Sequence, residues 1–188
     1  TSQIAVESGR PALRKEMAVE TPDSTLKRAS LKYRNLFGTM RQGTVYKKPA
    51  PVPNSPALRA KDLKGAGYFL DASQIGICQI PDSAWYQNAE PLLGHDHAVV
   101  ILVEYSNPID SDNIAAGWVT GNEHILASTR ASEIATILAG HIGAMGFDAR
   151  AHWNGSSDVD LERLAVLAGL GIRQGDKIIN PFVGDRFA

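Results

Sequence analysis

A single cysteine, Cys78, stands in 188 residues, and its isolation excludes a great deal of chemistry. No disulfide can close within the chain, and no four-cysteine zinc or iron–sulfur site can be built from it. No apolar run approaches the roughly 18 residues that a membrane span needs. A P-loop, a GxGxxG fingerprint and a GxSxG elbow are all missing. So are a basic-then-apolar leader and a twin-arginine signal, which points to a cytoplasmic location in a reducing compartment and to no membrane partner. Aromatic residues make up only 7%. What remains is an ordinary soluble composition, 44% hydrophobic and 21% charged, long enough for one main core.

The net charge of -1 averages two unlike segments. Thr1 to Lys64 carries 13 Lys+Arg against 5 Asp+Glu, whereas Gly65 to Ala188 carries 6 against 15. A basic arm can bind nucleic acid or an anionic membrane. Here the charges are scattered and base-stacking aromatics are few, which argues against nucleic acid and for an arm that wraps its own acidic body or a partner subunit.

Pro49, Pro51, Pro53 and Pro56 hold the end of that arm extended, so the sequence divides into an arm over 1–54 and a folded body over 55–188. Within the arm, Leu26, Ala29, Tyr33 and Leu36 form one stripe of a short amphipathic helix. Ser55 and Pro56 mark a helix start, with Gly65 and Gly67 weakening the helix that follows. Gln74 to Ile80 alternates as a strand, and the β-branched run His97 to Tyr105 reads as a central strand covered on both faces. Ser128 to Met145 is the best helix. Phe147 to His152 reads as a strand, Ser157 with Asp160 as a capping box, and Lys177 to Asn180 as a last strand. Strands alternating with helices give an α/β (α+β) sandwich with a mixed or mostly parallel sheet.

Few residues carry recognisable chemistry. His95 and His97 share a strand face and could reach one ion, but no third ligand is near in sequence. Cys78 sits among apolar residues, the setting of a small buried hydrophobe. His141 lies on the apolar stripe of the long helix, where a core or domain-edge histidine is expected. Gly140, Gly143 and Gly146 recur within that helix, as close helix packing requires. Gly169 and Gly171 allow a close backbone approach, either to a ligand or to the next strand. No catalytic residue and no metal ligand is assigned.

Three stretches carry a resemblance. Ile142 to His152 (IGAMGFDARAH), Leu164 to Gly171 (LAVLAGLG) and Ile178 to Arg186 (IINPFVGDR) resemble the cobalamin-binding domain of reductive dehalogenases and the related epoxyqueuosine reductases. Upstream, Ile75 to Cys78, Trp85-Tyr86 and Ala98 to Tyr105 fit the first two strands of that domain. The resemblance implies a nitroreductase-like sandwich that holds a corrinoid, with Ala168, Gly169, Leu170 and Gly171 as the cofactor-binding turn. It implies, too, two 4Fe-4S clusters bound by cysteines in a further segment, which reduce cobalt so that halide leaves an organohalide. None of those cysteines is here.

After the glycine turn the family carries a second glycine followed by arginine. This sequence has Ile172 to Lys177 instead. That departure suits a degenerate N-terminal copy in a cytoplasmic, catabolic-type reductive dehalogenase. Its role would be structural: packing on the remainder of the enzyme, covering the corrinoid, or forming a homodimer. Two alternatives stay open, a free-standing cobalamin-binding or processing module and an FMN nitroreductase relative.

Overall fold

The computed structural model describes residues 2–16 and 21–188, so residues 1 and 17–20 of the expected arm lie outside the described residues. The described residues form six α-helices: α1 (Gln3–Gly9), α2 (Thr25–Leu36), α3 (Pro56–Phe69), α4 (Ala116–Val119), α5 (Glu123–Ala144) and α6 (Leu161–Leu167). The strands are β1 (Gln74–Gln79), β2 (His97–Leu102), β3 (Ile172–Gln174) and β4 (Lys177–Ile179). Ser55 caps α3 by accepting the Leu58 amide at 3.1 Å, with Pro56 in the first turn. The helix continues through Gly65 and Gly67, because burial of Gly67 offsets its weak propensity.

The class is α+β, and its sheets are antiparallel rather than mixed or parallel as the sequence suggests. β1 pairs with β2 from Gln74 opposite Leu102 to Gln79 opposite His97, and β3 pairs with β4. A parallel pair needs a crossover of a dozen or more residues, usually helical. Residues 80–96 contain only a single 3₁₀ turn, Asp82–Ala84, so β2 returns alongside β1 in the opposite direction.

The β1–β2 ribbon lies between two apolar layers. On one side Ile75, Val99, Ile101 and Val103 pack with Ile134 and Leu138 of α5. On the other, Cys78, Ala98 and Val100 pack with Trp85, Val159 and Leu164. The expected strand at Phe147–His152 is reduced to one antiparallel bridge, Arg150 with Gln42. It is an extended segment tied to the chain's N-terminal part.

Two helices differ from their sequence reading. The apolar stripe of α2 faces outward, with Tyr33 48% and Leu36 57% exposed, while Ser30, Arg34 and the following Phe37 are buried. The partner surface on α5 is small and polar there. Arg34 donates to Ser128 Oγ at 2.8 Å, and Ser128 and Ser132 are themselves buried. At α6 the cap is Asp160, which accepts the Arg163 amide at 3.0 Å, rather than Ser157. Ser157 instead closes a local loop, accepting from the Val159 amide at 3.1 Å.

Residues 43–50 run across α5. Tyr46 and Ala50 donate their amides to the carbonyls of Gly143 and Ala144, at 3.2 and 2.9 Å. A β-carbon on Gly143 would stand 2.4 Å from the Thr44 carbonyl oxygen. Close packing therefore does occupy this part of the helix, and its occupant is the proline-rich segment.

Candidate functional site

Three places on the molecule bring together chemistry-bearing residues. The first joins α1 to α6. Arg163 is fully buried, and its guanidinium donates to the Ser83 and Arg10 carbonyls through Nη1 and to the Pro11 carbonyl through Nη2 at 2.9 Å. Its Nε lies 3.4 Å from Asp160 Oδ2 and 4.0 Å from Glu7 Oε2. None of these three atoms has a hydrogen-bond partner, so they meet as charges. Glu7, 2% exposed, accepts from Arg173 Nε at 2.7 Å and from Arg10 Nη1 at 3.1 Å. Burial pushes its carboxyl up, but Arg173 and Arg10 outweigh that and hold it below the usual carboxylate value. This is a buried structural lock with every cation spoken for.

The second place is the Ala168–Gly171 turn. Gly169 adopts φ +75 and is exposed, with open space where a side chain would stand. Gly171 is buried, and a β-carbon there would meet Ile178 Cγ2 at 2.7 Å and the Ile179 carbonyl oxygen at 3.0 Å. Asn180, 1% exposed, donates Nδ2 to the Leu170 carbonyl and to Gln74 Oε1. Its Oδ1 accepts the Phe182 amide at 2.8 Å. The close approach at this turn is made by the chain's own strand. β4 covers the Gly171 side of the turn, while the Gly169 side stays open.

The third place is a cleft of about 780 Å³ between β2 and residues 147–153. Its floor is apolar, with Val99, Ile101, Leu138 and Trp153 among the lining residues. Its polar end alternates along the extended segment. His95 Nε2 meets Asp148 Oδ2 at 3.0 Å, and that hydrogen bond outweighs burial in lowering the Asp148 pKa. Arg41 Nη2 donates to Asp158 Oδ2 at 2.5 Å and to His152 Nδ1 at 2.8 Å, and Arg150 reaches the same carboxylate at 3.3 Å. Burial, followed by the positive charge of Arg41, pushes the His152 imidazole down to about 4. Burial alone would raise Asp158, but Arg41, His152 and Arg150 bring it below the usual carboxylate value.

His95 and His97 do not converge. Each turns to a different carboxylate, His97 Nδ1 to Asp96 at 2.8 Å. Among the described residues no group of three or more His, Cys, Asp or Glu side chains could hold a metal ion. Cys78 is half-buried in β1, its Sγ 3.8 Å from the Leu164 carbonyl, and burial pushes the thiol up to about 11. It is therefore a thiol at neutral pH. His141 lies at the exposed edge of α5, 3.9 Å from Asp62. The Arg41–Arg150–His152–Asp158 cluster was not anticipated from the sequence, although Asp148, Arg150 and His152 recur with the period of two that marks one face of an extended segment.

No protein-family model matches the chain, and no curated protein does. Solved structures that it resembles include reductive dehalogenases. The catabolic reductive dehalogenase NpRdhA superposes at a TM-score of 0.82 with 34% identity, covering 95% of this chain and 26% of that one. A reductive dehalogenase structure described as suggesting a mechanism for B12-dependent dehalogenation gives the same score and identity. NpRdhA in complex with 3-bromo-4-hydroxybenzoic acid superposes at 0.80. The chain thus spans about a quarter of the length of these proteins. No helix of the described residues is long and apolar enough to cross a membrane.

Proposed function

We propose that these 188 residues are the N-terminal, corrinoid-domain-like part of a longer cytoplasmic, B12-dependent reductive dehalogenase, and that their own role is structural. One observation carries the reading: 34% identity to a catabolic reductive dehalogenase over 95% of the chain, at a TM-score of 0.82. Cobalamin, which supplies the cobalt centre for removing halide from an organohalide, is assigned to the rest of the polypeptide, as are the 4Fe-4S clusters that feed it electrons. Support for that division comes from Gly171, packed against β4, and from the single, protonated Cys78.

The test has two arms. The intact protein, reduced chemically, is expected to show a corrinoid visible spectrum and to release bromide from 3-bromo-4-hydroxybenzoic acid or a related halogenated aromatic. A reading frame without cysteine-rich cluster motifs would sink the dehalogenase reading. Residues 1–188 mixed with hydroxocobalamin are expected to leave its spectrum unchanged, and co-elution of the two would overturn the structural role.

A further inference from the structure

The edge of β2 that faces the cleft is unpaired. Ser73 and Ile80 donate their amides to the carbonyls of Leu102 and Asp96, so even-numbered residues of this strand direct their backbone groups at β1. Backbone direction alternates along a strand, so His97, Val99 and Ile101 direct theirs the other way. Among the described residues β2 has no strand partner on that side. Charges, prolines and bulges are the usual protection of an open edge. Ala98 to Leu102 (AVVIL) has none of these.

The far wall is in the same condition. Gly43 donates to the Ala149 carbonyl at 2.9 Å and Ala151 to the Arg41 carbonyl at 2.8 Å, which turns the amide and carbonyl of Arg150 away from Gln42, on the side of the cleft. Just beyond β2, the missing pairing has already begun. The amide of Val103 donates to the Ala188 carbonyl and that of Ala188 to the Val103 carbonyl, both at 2.9 Å, and Tyr105 donates to the Arg186 carbonyl at 3.0 Å. Glu104 opposite Phe187 is an antiparallel bridge on this same edge. Continued in that register, about six further residues would run along β2 back to His97 and lie in the cleft.

We propose that the cleft receives a β-strand, and that this strand is the segment following Ala188 in the longer protein. It would pair antiparallel with His97, Val99 and Ile101 and convert the two-stranded ribbon into a sheet of three strands or more. Alternate side chains of the inserted strand would meet the α5 layer and the Trp85–Leu164 layer, so an apolar, β-branched segment is the chemistry the slot selects. The inference rests on the proposed function only in needing polypeptide beyond Ala188.

Residue-resolved hydrogen exchange on the intact protein tests it. The amides of His97, Val99 and Ile101 are expected to exchange at least roughly 100-fold more slowly than free-edge amides, matching Ala98, Val100 and Leu102. Fast exchange at the three odd positions beside slow exchange at the even ones overturns the proposal. So does protection that vanishes on dilution to monomer, which would identify a second copy as the occupant. Inserting eight Gly/Ser residues directly after Ala188 fills the slot with weak strand formers and is expected to cut the protection at least about tenfold. Unchanged protection in that variant would place a different segment in the cleft and overturn the assignment. Failure of the intact protein to bind cobalamin or release halide counts against the functional reading and leaves this amide pattern as it is.

Discussion

The α1–α6 seam and the β2 edge handle buried backbone in opposite ways. At the seam, one guanidinium satisfies carbonyls from three residues that have no strand or helix partner there, and two carboxylates balance its charge. At the edge, regular backbone groups line an apolar cleft with no strand paired to them among the described residues. The seam is complete within these residues, whereas the edge is complete only when something else arrives. A surface that has to stay shut can be built from charges, because removing either partner is costly. A surface that has to accept a strand is better kept apolar and unpaired.

The largest expected effect lies in the seam. Arg163→Leu leaves Asp160 and Glu7 buried without that cation and should cost about 3–5 kcal/mol in denaturant unfolding. A loss below about 1 kcal/mol would show that the seam is not closed in solution, and the contrast with the edge would collapse. Next comes the polar end of the cleft. His152 has a folded pKa of about 4, below its ordinary 6.5, so stability is fully present above pH 6.5 and is lost as pH falls towards 4. The loss should approach about 3 kcal/mol across that window, and His152→Gln should flatten it.

Two glycines on α5 sharpen the comparison between closed and open surfaces. Gly143→Ala drives a β-carbon into the Thr44 carbonyl and should destabilise by about 1–2 kcal/mol after the gain in helix propensity. Gly140→Ala meets nothing within 4 Å and should stabilise by about 0.5–1 kcal/mol. Thermal melts that move in the same direction for both would remove the distinction. At the turn, Gly169→Ala should cost about 1 kcal/mol through its positive φ alone, since the space around it is open.

Local signals survived folding well. Ser55 with Pro56 and the alternation of β1 are each decided within a few residues, and the structure keeps them; on α5 Ile134 and Leu138 are buried as their spacing suggests, whereas Ile137 and His141 face outward. The β-branched run of β2 correctly indicated cover on both faces, but a strand's pattern says nothing about how many neighbours it has along its edges. What could not be read depended on distant partners. α1 buries only Glu7, and that residue is stabilised by Arg163 and Arg173, far along the chain. α2 turns its polar side inward because α5 offers Ser128 to Arg34. The turn at Ala168–Gly171 was legible as a close approach, while the identity of what approaches, β4, required the fold.

Arg163 gathers carbonyls from residues 152 and 153 positions earlier in the chain. At 5–20 residues per second, translation takes roughly 8–30 s to pass from one to the other. Throughout that interval α1 has left the ribosome without Arg163 or Arg173 to dock on, and Glu7 lacks both cations. Loop-closure entropy also disfavours so remote a contact until the body between has formed. The α1 segment, made well before α6, is therefore fastened late, and the seam closes as a clasp once Arg163 is in place.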